Sequence, residues 1–166
     1  MTEKSIEANV VALLKKYNLQ LGIAESCTGG LMGHRITDVP GSSQIFRGGV
    51  VAYSYEAKET LLGVKHKTLV AHGAVSHQVA VEMATGARRV FRSDYALSIT
   101  GIAGPGGGMP GKPVGLTYIG LAFDGETRWQ KHIWQGTRAE NKMHSVNAAL
   151  QFLLETVMAR EGQHAK

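Results

Sequence analysis

The stretch Ala24-Glu25-Ser26-Cys27-Thr28-Gly29-Gly30 sets two nucleophile types between a carboxylate and two glycines, directly after the apolar run Leu19–Ala24. A short apolar run reads as a buried strand, and Thr28–Thr37 reads as a helix. A strand-to-helix turn exposes unpaired backbone N–H groups and a positive helix end. Ser26 at that turn can act as a nucleophile, with the backbone N–H groups of Cys27 and Thr28 stabilising an oxyanion. Two plainer readings compete. Ser26 or Thr28 caps the helix, and Gly29-Gly30 permits close packing. Cys27 is a second nucleophile if a helix N-terminus lowers its pKa, and otherwise a small buried side chain. The stretch is neither a Gly-x-Ser-x-Gly elbow nor a phosphate-binding P-loop, because the spacings differ.

A serine nucleophile needs a base. Seven histidines are present, none in a recognisable signature, and no paired metal-ligand spacing occurs. A lysine kept neutral by burial is the other option. Lys58, in Tyr53-Ser54-Tyr55-Glu56-Ala57-Lys58-Glu59, opens a short helix after a strand. Its plain reading is a surface lysine paired with Glu56 or Glu59. Glycine supplies the third signal. Of 21 glycines, seven lie from Gly101 to Gly115, directly after the apolar strand Tyr95–Thr100. Gly104, Gly106, Gly107 and Gly108 leave backbone amides bare, so that a phosphate or ribose can approach. Pro105, Pro110 and Pro113 stiffen the loop. Gly136-Thr137-Arg138 opens the last helix, where an arginine opposes the helix dipole unless it holds an anion.

Stepping outward, 166 residues with 43% hydrophobic and 19% charged suit one globular domain. A single cysteine excludes a disulfide framework and points to a reducing, cytoplasmic setting. No signal-like leader is visible, and no apolar run approaches the roughly 20 residues of a membrane span. The net charge of +5 favours anionic partners. The basic residues are scattered, with Arg88, Arg89 and Arg92 the densest group, which argues against nucleic acid. Periodicity predicts helices over Ile6–Tyr17, Glu56–Leu62, Lys67–His72, His77–Phe91 (capped by Ser76) and Arg138–Met158. Strands are expected at Val50–Tyr53, with Gly48-Gly49 as a flexible entry, and at Tyr95–Thr100. A hairpin of Leu116–Phe123 and Thr127–Trp134 turns on Asp124-Gly125. Residues 161–166 are expected to fray. The pattern predicts one α/β domain of three layers, a mixed β-sheet flanked by helices on both faces.

Several motifs then follow one another in order. They are Ala24–Gly30, Pro40-Gly41-Ser42-Ser43, Tyr53–Lys58, Gly73-Ala74-Val75-Ser76, Thr100–Gly108, Lys112-Pro113-Val114-Gly115 and Gly136-Thr137-Arg138. In this combination, from about Ile6 to Val157, the chain resembles the C-terminal domain of the CinA (competence/damage-inducible) family in stand-alone form. Stand-alone members resemble nicotinamide-nucleotide amidases. The resemblance implies hydrolysis of nicotinamide mononucleotide to nicotinic acid mononucleotide and ammonia, in pyridine-nucleotide salvage. It implies Ser26 as nucleophile and Lys58 as base, with Ser43 and Tyr53 assisting. Substrate would be held by Thr28, Thr100, Gly101, Gly104, Gly106, Gly107 and Arg138. Neither metal nor cofactor is implied, and a homo-oligomer, by default a dimer, is expected. Glu25, if close and ionised, would oppose the neutral state of Lys58, whereas Arg138 would favour it. A non-catalytic nucleotide-binding or competence-related interaction module is the alternative. The pyrophosphatase chemistry of the extra N-terminal domain in full-length CinA proteins is not implied.

Overall fold

In the computed structural model, which describes residues 5–164, a five-stranded sheet lies between two helical layers. The elements run α1 (Ile6–Lys16), β1 (Leu21–Glu25), α2 (Leu31–Thr37), β2 (Phe46–Val51), α3 (Tyr55–Leu62), α4 (His66–His72), α5 (His77–Phe91), β3 (Tyr95–Gly101), β4 (Leu116–Phe123), β5 (Glu126–Ile133) and α6 (Arg138–His164). A short 3-10 helix, Ser42–Gln44, precedes β2.

The sheet order is β2-β1-β3-β4-β5. β2, β1 and β3 are parallel, and the β3–β4–β5 meander is antiparallel. The mixed α/β prediction therefore stands. β1 is central and wholly buried, as a parallel strand covered on both faces must be. One layer, α1, α2 and α6, closes over Leu21, Ile23, Leu97, Ile99, Ile119 and Leu121. The other, α3, α4 and α5, covers Ala24, Ala52 and Ala96 with Leu62, Leu69 and Met83. The C-terminal ends of β1, β2 and β3 meet at one end of the sheet, where open α/β sheets place ligand crevices.

Most element boundaries fall within two residues of expectation, and the larger differences are at β2, α2 and α6. β2 starts at Phe46 and runs through the two glycines. A Cβ at Gly48 would stand 2.7 Å from the Phe91 ring, and one at Gly49 would stand 2.7 Å from Ile23. These glycines bring β2 against its neighbours and are not a flexible entry. α2 begins at Leu31, three residues late, because a carboxylate holds the preceding turn open. α6 continues past Met158 through His164, and 165–166 lie outside the described residues. Among the described residues no helix is long and apolar enough to cross a membrane.

Candidate active site

Ser26 is the first residue beyond β1. Its N–H donates to the Ile99 carbonyl (3.0 Å), prolonging the β1–β3 ladder by one step. On the other side the Ala52 N–H donates to the Glu25 carbonyl (2.9 Å). The serine backbone is thus fixed from both neighbouring strands. Lys58 comes from α3, whose N-cap Ser54 accepts from the Ala57 N–H (3.0 Å) and whose C-cap Gly63 is left-handed at φ 69°. Leu62, one turn on, is buried, so Lys58 lies on the inward face of the helix.

The side chain of Lys58 is 1% exposed. Its Nζ lies 3.0 Å from Ser26 Oγ and 2.8 Å from the Ala52 carbonyl oxygen. The surface-lysine reading is excluded, since Glu59 pairs instead with His66. Burial pushes the Lys58 amine below the ordinary lysine value of 10.5. The proximity of Cys27 opposes this only as a thiolate, and burial holds that thiol mainly protonated by raising its pKa to about 11. Cys27 is a neutral, buried side chain beside the dyad, without the lowered pKa a nucleophile needs.

When uncharged, a lysine with one N–H on Ala52 O can turn its lone pair toward the serine hydroxyl. That geometry is what a serine nucleophile and its base require. Among the described residues the Thr28 N–H has no acceptor, and the Cys27 N–H is engaged by its own thiol. Both follow Ser26 directly, the position from which backbone N–H groups receive an oxyanion.

Glu25 acquires a definite role. It is 1% exposed, and its Oε2 accepts from Thr28 Oγ (2.6 Å), Gly30 N–H (3.2 Å) and Met32 N–H (3.0 Å). Its Oε1 accepts from Gly33 N–H (2.9 Å). The carboxylate therefore fills the anion-binding N-terminus of α2 from within. Neither Ser26 nor Thr28 caps that helix. Glu25 does not hold Lys58 in its charged form, and Arg138 is not what lowers it; burial is the cause.

The rim of the site joins three segments. Arg138, on the first turn of α6, donates to the Gly104 carbonyl (2.8 Å) and to the Tyr53 hydroxyl (3.1 Å). Tyr53 is 61% exposed and follows Ala52, whose carbonyl holds Lys58. Pro105 to Gly108 are exposed, and a Cβ at Gly106 would meet nothing, whereas one at Gly108 would stand 3.2 Å from the Val114 nitrogen. The loop is ordered by its own ladder, Met109 N–H to Lys112 O and the reverse (both 2.9 Å), and by the Lys112 amine on the His72 carbonyl (2.5 Å). Gly107, at φ 89°, takes a backbone turn suited to glycine.

Several expected roles shift. The Thr28 hydroxyl is buried and committed to Glu25, which leaves only its N–H for a ligand. Thr100 is buried and donates to the Ala74 carbonyl (2.8 Å), bracing the β3 end rather than facing the opening. Gly101 pairs with Thr117 at the end of β3, and a Cβ there would stand 2.7 Å from the Leu116 oxygen; it closes the loop base. Ser43 is misplaced for any part in the dyad. It is exposed in the 3-10 helix that leads into the N-terminal end of β2, whereas Ser26 leaves the C-terminal end of the parallel neighbour β1.

Two residues went unassigned in the sequence. Asn141 is buried; its amide donates to the Ala103 and Gly136 carbonyls (both 3.0 Å) and accepts from the Gly136 N–H (2.9 Å). It fastens α6 to the glycine loop. Its signal was its place in Gly136-Thr137-Arg138-Ala139-Glu140-Asn141. Lys142, one turn beyond Arg138, reaches toward Gly29.

The geometry now has relatives to be set against. The CinA C-terminal domain matches this chain over residues 3–157. The chain belongs to that family. A CinA-like protein of Chlorobaculum tepidum is 49% identical over 158 residues, covering 92% of this chain and 37% of that protein. This chain thus spans well under half the length of the curated relatives it matches. Two solved structures superpose over nearly the whole domain. A CinA superfamily protein from Klebsiella pneumoniae has a TM-score of 0.90 at 32% identity, covering 93% of this chain and 96% of its own. The competence/damage inducible protein CihA from Agrobacterium tumefaciens has a TM-score of 0.88 at 36% identity, covering 93% and 97%. CinA membership and the three-layer fold therefore agree. The names of the relatives speak of competence and damage and say nothing of a reaction.

Proposed function

We propose that this CinA domain is a serine amidohydrolase that removes ammonia from the carboxamide of nicotinamide mononucleotide, with Ser26 as nucleophile and Lys58 as base. The observation that carries the reading is the fully buried Lys58 amine 3.0 Å from Ser26 Oγ, with its pKa pushed down by burial. A buried lysine beside an acid would be an ion pair. Beside a serine hydroxyl and a carbonyl oxygen, it is a base.

The steps follow from the positions. Ser26 Oγ attacks the carboxamide carbon as its proton passes to Lys58 Nζ. The oxygen of the tetrahedral adduct takes the negative charge and faces the Cys27 and Thr28 N–H groups. The C–N bond breaks as Lys58 returns the proton to the departing nitrogen, which leaves as ammonia. Water, deprotonated by the same amine, attacks the acyl-serine. Ser26 regains its proton, and the product is the carboxylic acid. Arg138 and the open arc Pro105–Gly108 face the remainder of the substrate. Ammonia measured during incubation with nicotinamide mononucleotide tests this directly, against Ser26→Ala as control. A binding module without chemistry predicts nucleotide affinity and no ammonia.

A further inference from the structure

Lys142, on α6, is a cation beside the Ser26–Gly29 turn. Its amine lies 3.8 Å from the point where a Cβ on Gly29 would stand. Its charge is felt at Cys27, the residue after the nucleophile. The residue is half-buried, and among the described residues its amine has neither a hydrogen bond nor an ion pair. Long amines seldom give up hydration on a protein surface without an acceptor.

Arg138 lies one turn earlier on the same helix. It too lacks a carboxylate: its partners are a carbonyl oxygen and a phenol. The two cations are four residues apart, so they share a face of α6. The acids close at hand are committed elsewhere. Glu25 faces four donors of its own turn, and Glu140 accepts from the Thr137 N–H (2.7 Å) while Thr137 Oγ caps the Glu140 N–H (3.3 Å). Thr137 Oγ also takes the Glu140 N–H in the first turn of α6, and Asn141 Oδ1 takes the Gly136 N–H just before it. The full positive charges at this rim are those of the two side chains. Two unneutralised cations one helical turn apart match a dianion.

We propose that Lys142, with Arg138, forms a two-cation clamp for the phosphomonoester of the substrate. Lys142 thereby makes the site select nucleotide over nucleoside. The inference rests on the amidase reading for its choice of substrate, but its test does not. Lys142 is a specificity residue and takes no part in the bond changes.

The test uses Ser26→Ala protein, in which turnover is removed, and calorimetric titration with nicotinamide mononucleotide and with its nucleoside. The Lys142→Met change in that background should weaken nucleotide binding about 10- to 100-fold, the scale of one charge-assisted contact. Nucleoside binding should stay within twofold, and Lys142→Arg should restore most of the loss. Undiminished nucleotide binding in Lys142→Met overturns the clamp. An equal loss for nucleotide and nucleoside also overturns it, because Lys142 would then shape the site as a whole. With Ser26 restored, Lys142→Met should raise KM for the nucleotide and leave kcat within about threefold. A selective binding loss, together with wild-type protein that releases no ammonia, retains the clamp and rejects the amidase reading.

Discussion

Replacing Glu25 by Gln is a nearly isosteric change with an unequal cost at its two oxygens. Oε2 receives three donors and Oε1 receives one, the Gly33 N–H at 2.9 Å. The amide oxygen will take the three-donor side, which turns the new NH2 toward Gly33. One charge-assisted buried bond is lost, worth about 1.5–3 kcal/mol, and a donor then faces a donor. Loss of the negative charge at the α2 N-terminus adds about 0.3–1 kcal/mol. The residue is 1% exposed, so solvent screening does not reduce these terms. The sum is about 2–4 kcal/mol, or roughly a 4–16 °C fall in Tm for a chain of this size. Thermal melts followed by circular dichroism and urea titration measure it. Activity should fall as well, because the same turn carries the Cys27 and Thr28 N–H groups. A Glu25→Gln protein that melts with the wild type yet loses its activity would refute the capping role and make Glu25 a participant in the chemistry.

Other consequences follow from the same geometry. On the proposed mechanism the active form of Lys58 is the free amine, so kcat/KM should rise with pH through an apparent pKa below 10.5 and then level off; a limb at or above 10.5 contradicts the burial argument. The unfolded chain keeps the Lys58 proton up to 10.5 and the folded chain loses it earlier. Lys58 therefore makes stability rise with pH between its folded pKa and 10.5, and Lys58→Met should abolish that contribution in urea titrations. With its thiol pKa near 11 against 9.0, Cys27 should react with iodoacetamide at pH 8 about 100-fold more slowly than a free thiol, and faster labelling would place it at the surface. Gly86→Ala, which in an ordinary helix gains about 1 kcal/mol, should here cost about 2 kcal/mol or more. A Cβ would fall on the Leu62 carbonyl oxygen and push away α3, which carries Lys58, so a melt and an activity assay should both register the loss.

The sequence carried the architecture because strand and helix periods are local, and β1, β3, the late hairpin and the long helices each announce themselves. It also carried Ser26, Lys58, Tyr53 and Arg138, through motifs whose order matches a family. What escaped depends on distant contacts. Gly48 and Gly49 looked like a flexible entry because Phe91 and Ile23 are far away in the chain. Glu25 had no readable role, since its cap reaches forward eight residues rather than the usual three. Ser43 was drawn to the dyad by motif order alone, and the parallel β1–α2–β2 crossover carries it to the other end of the sheet. Lys142 had no assigned role until the fold set it beside Gly29.

The central claim, that Ser26 and Lys58 act together as nucleophile and base, is tested most directly by ammonia release from nicotinamide mononucleotide by three proteins: wild type, Ser26→Ala and Lys58→Met. Predicted are steady release by the wild type and at least about a hundredfold loss of kcat in each variant, with circular dichroism showing that both remain folded. Wild-type protein that releases no ammonia, or folded Lys58→Met that keeps its rate, would contradict the account.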